Sequence, residues 1–185
     1  MNKGIIALVV VLVLLVIYGF SGYNSLVTLN EGADAQWSKV EAQYQRRLDL
    51  IPNLVNSVKG VLTQEQTVFG DIAAARTAYG SAATPDQKAA AASQVEGALG
   101  RLLVVMENYP QLNSSQTVRD LMTQLEGTEN RISVERTRFN DAVLAYNTAI
   151  KRFPKNILAA VTGFGERSYF KAASGAEVAP TVNLE

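Results

Sequence analysis

The sequence contains neither cysteine nor histidine, and its formal net charge is zero. Without cysteine, disulfide bonds, thiolate catalysis and cysteine-based zinc sites are excluded. Without histidine, the chain lacks the commonest general base and metal ligand of proteins. Its 17 basic residues are balanced by 17 acidic ones, so composition indicates no basic patch for nucleic acid. We therefore expect no metal, no cofactor and no nucleic-acid partner.

What the sequence does have is a long apolar run near its N-terminus. No charged residue lies between Lys3 and Glu31, and most positions from Ile5 to Phe20 are Val, Leu or Ile. As a helix, this core spans about 24 Å, close to the roughly 30 Å hydrocarbon layer of a bilayer. The run is longer than that of a signal peptide and has no clean small-x-small cleavage site. Residues 1–30 are therefore predicted to be a transmembrane signal anchor, in preference to a cleaved signal peptide.

The charges that flank this run bear on its orientation. Lys3 precedes the run, whereas the first charges after it, Glu31 and Asp34, are acidic. Basic residues tend to stay on the cytoplasmic side of a membrane. This single lysine favours an N-terminus inside the cell and the rest of the chain on the extracytoplasmic side.

Beyond the anchor, proline is scarce and apolar residues recur at the 3–4 spacing of helices. Three long stretches show this pattern, over residues 37–80, 85–108 and 114–153, and a short one covers 156–161. The predicted inward-facing residues are Trp37, Tyr44, Leu48, Ile51, Val55, Val58, Leu62, Phe69, Ile72, Val95, Leu99, Leu102, Met106, Val118, Met122, Leu125, Ile132, Phe139, Val143, Tyr146, Ile150 and Phe153. Thr84, Pro85 and Gln87 form a helix-start signature before the second stretch.

These patterns predict an all-α fold. We expect an N-terminal transmembrane helix followed by an elongated up-down helical bundle of three long helices and a short fourth. The bundle is predicted to occupy residues 31–171, and residues 172–185 have the composition of an extended C-terminal tail.

Pro52 lies inside the first long stretch. A proline in a helix removes one hydrogen bond and crowds the preceding turn. The apolar spacing nevertheless passes through Pro52 without a change of phase, so we predict a kink in one continuous helix. Only weak breakers separate that helix from the anchor, so a direct junction of the two, giving one helix over residues 4–79, is left open.

A strict heptad places charged residues on the inward seams. Glu41, Glu65 and Arg76 take such positions in the first helix, and Glu129 and Arg136 in the third. A buried charge without a partner is too costly to persist, so we predict that Glu65, Arg76, Glu129 and Arg136 form a buried, paired polar layer. A register-setting layer is favoured over a ligand site, because di-metal bundles use Glu-x-x-His motifs.

Two segments supply candidate partner contacts. Arg46 and Arg47 are adjacent in the densest polar cluster of the chain, where a solvated helix face is the favoured interpretation and contact with a partner or lipid headgroups the alternative. In the tail, alternation over residues 180–184 suits an extended segment that lays Val182 and Leu184 into a groove.

The chain resembles the LemA family of bacterial membrane proteins. The resemblance rests on segments 23–27, 37–38, 46–55, 75–76, 107–110, 128–129, 136, 139–140, 146–147, 153–154, 169–170 and 180–184. The most specific of them is Arg-Arg-Leu-Asp-Leu-Ile-Pro-Asn-Leu-Val at 46–55. The resemblance implies an N-terminal membrane helix in the bacterial inner (cytoplasmic) membrane and an elongated helical bundle, and it implies no catalytic residues.

Two functional hypotheses follow. The first is a non-enzymatic, membrane-anchored scaffold that self-associates, since zero net charge lowers repulsion between copies and Ser21 and Ser25 give one small-xxx-small spacing. The second is an adaptor or sensor that binds an envelope protease or another membrane protein. We do not expect an enzyme, because a base, a nucleophile and oxyanion donors are not visible together. The expected partners are thus the lipid bilayer, further copies of the chain, and a membrane protein.

Overall fold

The fold is all-α, as the sequence predicts. The protein is described by a computed structural model over residues 3–170, apart from the side chain of Asn113. Within that range there is no β-strand. The helices are α1 (Lys3–Lys59), α2 (Gln66–Ser81), α3 (Pro85–Glu107), α4 (Pro110–Ser114), α5 (Gln116–Lys151) and α6 (Lys155–Thr162). The first predicted long helix is divided into α1 and α2, and the one-turn helix α4 precedes the third.

Helix α1 continues through Pro52, which confirms that this proline does not end it. The direct junction of the anchor with the helix that follows it is confirmed, but the extension to residue 79 is wrong, because α1 ends at Lys59 and α2 begins only at Gln66. After Gly60, the amides of Val61 and Leu62 both donate to the Val58 carbonyl, at 3.0 and 2.9 Å, and so close a turn. The buried side chain of Leu62 anchors this turn. Apolar spacing cannot reveal such a break, since Val58, Leu62 and Ile72 keep one heptad phase across it.

The inward face of α1 is wider than the predicted stripe. Trp37, Tyr44, Leu48, Ile51 and Val58 are buried as predicted. Four further residues, three or four positions from these, are also buried: Ala33, Val40, Arg47 and Leu54. Glu41 and Val55, which the prediction placed inward, are only half-buried. Contacts with the other helices therefore bury Arg47 together with its neighbour Leu48.

The stripes of α3 and α5 follow the predicted spacing closely. All four predicted residues of α3 are buried, and in α5 the buried predicted residues are Val118, Leu125, Ile132, Phe139, Val143, Tyr146 and Ile150. Met122 is only half-buried, and Leu121 beside it is buried instead. Phe153 is 79% exposed, contrary to prediction. It lies beyond the end of α5 at Lys151 and therefore leaves the helical stripe.

The predicted start of α3 is confirmed in atomic detail. The Thr84 hydroxyl accepts from the Gln87 amide at 3.3 Å, while the Gln87 side-chain oxygen accepts from the Thr84 amide at 3.2 Å. Together these bonds form a capping box, and Pro85 takes the first helical position. Such reciprocal bonds satisfy two amides that a helix start otherwise leaves unpaired.

The chain divides into two compact units, and α1 and α5 each contribute to both. The first unit takes in residues 3–39 and 135–169, and the second takes in residues 40–134 and Phe170. The core of the first unit is formed by Leu26, Tyr146, Ile150 and Ala159, with Leu29, Ala149, Leu158 and Phe164 packed against it. In the second unit α2 and α3 pack together, and α1 and α5 supply Tyr44, Ile51, Val118 and Leu125 to the core. The predicted boundary after residue 30 stays a prediction, and the predicted tail lies outside the described residues.

Candidate functional site

The apolar N-terminal part of α1 is exposed along its whole length. Every Val, Leu and Ile from Ile5 to Ile17 is at least 43% accessible, and no part of the most apolar window is buried within the protein. Among the described residues, only α1 and α3 are long and apolar enough to cross a membrane. Helix α3 differs because it buries Val95, Leu99 and Leu102 in the second unit. Of these two helices, α1 is therefore the one whose apolar surface lacks protein neighbours.

An ion pair with a buried arginine lies in the second unit. Arg47 on α1 is 1% exposed, and its guanidinium donates to the carboxylate of Glu129 on α5. The same guanidinium donates to the Ala92 carbonyl of α3 at 3.4 Å and lies over the Tyr44 ring, 5.5 Å from its centroid. Arg47 thus connects three helices by charge-assisted hydrogen bonds, which are stronger than bonds between neutral groups.

This position corrects the prediction for Arg47. A buried arginine is not a surface contact for a partner or a lipid headgroup. The sequence could not show this, because Arg47 and Leu48 are adjacent and the apolar leucine better fits a core position. Arg46, the neighbouring candidate, is exposed.

Two tyrosines and a second ion pair border the Arg47 cluster. The rings of Tyr44 and Tyr79 meet edge to face with their centroids 5.7 Å apart. Burial, reinforced by the nearby carboxylate of Glu41, raises the pKa of Tyr79 to about 12. Glu41 itself accepts a hydrogen bond from Lys88 on α3. The Tyr79 phenol therefore stays neutral far above its usual range.

The predicted polar layer is not present as a unit. Arg76 is exposed, contrary to prediction, because α2 turns Ala75 and Tyr79 inward instead. Glu65 is half-buried and is the residue that caps the N-terminus of α2, so it does not lie within a long helix. Arg136 is also half-buried. Glu129 is paired as expected, and its partner Arg47 was not in the predicted set.

The first unit contains a polar cluster that sequence reasoning missed. Asn147 of α5 is buried and bonds the backbone of Arg167 twice, with its amide group donating to the carbonyl and its oxygen accepting from the N–H, both at 2.9 Å. The Arg167 guanidinium binds Asp34 and also the Asn30 side-chain oxygen, the latter at 2.7 Å. The signal available in the sequence was an asparagine beside a core tyrosine within the α5 stripe.

These contacts pin the segment that follows α6. Gly163 ends α6 with a φ of +79°, a conformation that glycine adopts without strain. Next, Phe164 packs on Tyr23 and Tyr146, and the Tyr146 hydroxyl donates to the Gly165 carbonyl at 2.9 Å. Burial raises the pKa of Tyr146, although Arg167 opposes the shift. Gly163 therefore ends the helix, and the Gly165 carbonyl joins the following segment to α5 through Tyr146.

The polar contacts described above all connect parts of the protein to one another. Among residues 3–170, no group of three or more Asp or Glu side chains is placed to hold a metal ion. An open groove of about 630 Å³ lies on the second unit, bordered by Arg76, Tyr79 and Lys88. Pro52 is half-buried within α1, and Val182 and Leu184 lie outside the described residues.

Comparison with known proteins gives a consistent assignment. The model of the LemA family matches residues 36–184. The chain is 32% identical to Magnetosome protein MamQ 2 and to Magnetosome protein MamQ 1 of Paramagnetospirillum magneticum (strain ATCC 700264 / AMB-1). It is also 32% identical to Magnetosome protein MamQ of Magnetospirillum gryphiswaldense (strain DSM 6361 / JCM 21280 / NBRC 15271 / MSR-1). Each alignment covers 80% of this chain but 64% of the relative, which is less than two thirds of the relatives' own length.

Proposed function

The chain belongs to the LemA family, and from that premise we propose that it is a non-enzymatic, membrane-anchored helical scaffold that self-associates at the bacterial inner membrane. The observation that carries the proposal is the exposed apolar surface of α1 from Ile5 to Phe20. Exposure of such a surface to water is strongly unfavourable, whereas in a bilayer the same surface contacts lipid chains and other membrane helices.

The continuity of α1 supports a scaffold. The apolar part and the packed part belong to one helix of 57 residues, so the anchor continues into the packed part of the protein without a flexible linker. Anchored copies diffuse in two dimensions, which raises their effective concentration for weak lateral contacts. A small energy per contact can therefore produce an assembly.

The Ser21–Ser25 face of α1 is not the proposed surface for self-association. Gly22 and Leu26, on the same side of α1, are buried within the first unit, and Ser25 accepts a hydrogen bond from Lys155 of α6. This side of α1 is therefore occupied by the chain itself. Self-association is proposed instead through the more N-terminal apolar part.

The proposed topology is a single pass with the part of the chain that follows the span on the extracytoplasmic side, on the basis of Lys3 before the span and Glu31 and Asp34 after it. The chain has no cysteine, so a single introduced Cys reports the side directly. Asp141→Cys, at an exposed position of α5, should react with a membrane-impermeant maleimide in intact spheroplasts. Labelling only after lysis would show that this position is cytoplasmic and that the topology is the opposite of the one proposed.

Self-association is tested with two differently tagged copies expressed together at native level. A photo-crosslinking residue at Leu14, which is exposed in the span, should give covalent dimers and larger adducts that carry both tags. The matched control is the same residue at Gln64, an exposed position between α1 and α2. Adducts that contain only one copy of the chain would contradict the scaffold.

A second candidate function is an adaptor for another membrane protein. The open groove of about 630 Å³ beside Arg76 and Tyr79 favours it, because concave surfaces with a few polar groups are common binding sites. Under this alternative, a crosslinker at Arg76 should yield one defined adduct with a different protein, and the Leu14 crosslinker should yield no dimer.

A further inference from the structure

Helix α6 and the turn before it expose an apolar surface that the protein leaves uncovered. Ile157 and Val161 are 57% and 81% exposed, and because they are four residues apart they share one face of α6. Phe153, in the preceding turn, is 79% exposed. The opposite side of α6 faces the core, where Ala159 is buried. Such a helix packs one face on its own protein and leaves the other free to contact a different apolar environment, such as lipid.

Contacts within the first unit place α6 beside the point where α1 leaves its apolar run. A Cβ on Gly22 would lie 3.0 Å from the Leu158 side chain, so α6 approaches α1 closely at that glycine. One turn further along α1, the Lys155 ammonium donates to the Ser25 hydroxyl at 2.8 Å. The apolar run itself ends at Phe20. The exposed face of α6 is therefore close to the level of a membrane surface when α1 spans the bilayer.

A cleft of about 460 Å³ joins the two elements at this level. Tyr18, which lies inside the apolar run, lines the cleft together with Arg152, Phe153 and Lys155. Aromatic side chains at the end of a membrane span prefer the headgroup region. The cleft is thus lined by an aromatic residue of the span and by two basic residues, Arg152 and Lys155.

The charges around α6 favour an anionic surface. Lys151, Arg152 and Lys155 lie within five positions of one another. Glu166 pairs with the first of them, its carboxylate lying 2.9 Å from the Lys151 ammonium. Arg167, the next basic residue along the chain, is already bound to Asp34. Within residues 3–170 no ion pair involves Arg152 or Lys155, and the Lys155 ammonium, which donates one hydrogen to Ser25, has two more. Both side chains can therefore bind a phosphate at the cleft.

We propose that α6 and its preceding turn form a second membrane-binding surface, which inserts Phe153, Ile157 and Val161 between the headgroups and binds anionic phospholipid through Arg152 and Lys155. Amphipathic helices with a basic side and exposed aromatic or aliphatic residues bind membranes in this manner. The consequence is a two-point attachment that fixes the rotation of α1 about its own axis. This inference rests on the insertion of α1 in a bilayer and is independent of self-association.

The test uses the full chain in vesicles and relies on its lack of cysteine. A single Cys at Ile157 is labelled with an environment-sensitive fluorophore and exposed to quenchers carried on lipid chains near the headgroups. The matched control is Asp141→Cys, an exposed position of the same unit. Vesicles are made of phosphatidylcholine alone or with phosphatidylglycerol. A third label at Leu14 reports the insertion of α1.

We expect strong quenching at Ile157 and little at Asp141, with quenching at Ile157 larger in the vesicles that contain phosphatidylglycerol. High salt should reduce that lipid difference, and so should Arg152→Gln, which alters an exposed side chain outside the core. Loss of one basic residue near an anionic surface weakens binding about fivefold.

Quenching at Leu14 with none at Ile157 would overturn the α6 proposal while the anchor stands. No quenching at Leu14 would instead refute the membrane insertion on which both proposals rest. Equal quenching at Ile157 in the two kinds of vesicle would overturn the anionic-lipid site. Protection of Ile157 only in native membranes, with a crosslink to another protein, would identify that face as a protein interface and also overturn the proposal.

Discussion

Arg47 and Glu129 form an ion pair between residues 82 positions apart in the sequence, and the two partners are buried to different degrees. The Arg47 side chain is 2% exposed, whereas that of Glu129 is 41% exposed. Without its arginine, the carboxylate can be hydrated. The guanidinium cannot, so the two ends of one ion pair should respond differently to substitution.

We expect Glu129→Leu to lower the free energy of unfolding by about 3–5 kcal/mol, because it leaves a buried cation without its carboxylate. Arg47→Met should cost less, about 1–3 kcal/mol, since Glu129 regains water. The double variant should be more stable than the sum of the single losses predicts. Chemical denaturation of the four proteins measures this cycle, and equal losses for the two single variants would contradict the asymmetry.

Replacement of Asn147 should release the segment after α6 without unfolding the helices. Asn147→Leu removes both hydrogen bonds to the Arg167 backbone, so the local opening of residues 163–169 becomes more favourable. We expect faster hydrogen exchange at the Arg167 amide and faster tryptic cleavage after Arg167. Asn156→Leu, at an exposed position of α6, is the control. Unchanged exchange at Arg167 in the Asn147 variant would show that the two bonds do not hold the segment.

Pro52 in α1 and Pro85 in α3 should have opposite effects when replaced by alanine. Pro52 lies inside α1, where proline removes a hydrogen bond and crowds the preceding turn, so Pro52→Ala should stabilise by about 1–3 kcal/mol. Pro85 is at the first position of α3, where its fixed φ is already helical. Pro85→Ala should therefore destabilise by about 0.4–1 kcal/mol. Thermal unfolding measures both, and a loss of stability in Pro52→Ala would mean that the surrounding residues require the proline.

Tyr79 should make the protein less stable at high pH. Its pKa is 10.0 ordinarily and about 12 in the folded chain, so the unfolded state loses this proton first. The contribution to stability is complete below pH 10 and decreases as the pH rises toward 12, by at most about 3 kcal/mol. Tyr79→Phe cannot ionise, so its stability relative to the parent chain should rise over that interval. Denaturation curves at several pH values test this, and a constant difference between the two proteins would contradict it.

The local features of this fold could be predicted from the sequence because they depend on neighbouring residues. The capping box at Thr84 and Gln87 requires only four consecutive residues, and the stripes of α3 and α5 require only a steady 3–4 spacing. The apolar run of α1 is likewise a property of length and composition. Such features are set by backbone hydrogen bonding and side-chain pattern, which do not depend on what packs against them.

The burial of Arg47 could be decided only by the tertiary structure. The apolar spacing of α1 predicts Leu48 as the inward residue, and Leu48 is buried, but nothing in that spacing predicts that Arg47 beside it is buried as well. The Ala92 carbonyl on α3 and the Glu129 carboxylate on α5 make this possible, because they can satisfy a buried guanidinium. The break after Lys59 and the segment pinned by Asn147 also depend on partners distant in sequence. A charged residue can occupy a core position only where the rest of the fold provides its counter-charge and hydrogen bonds. These partners come from distant parts of the sequence, so a local pattern cannot predict them.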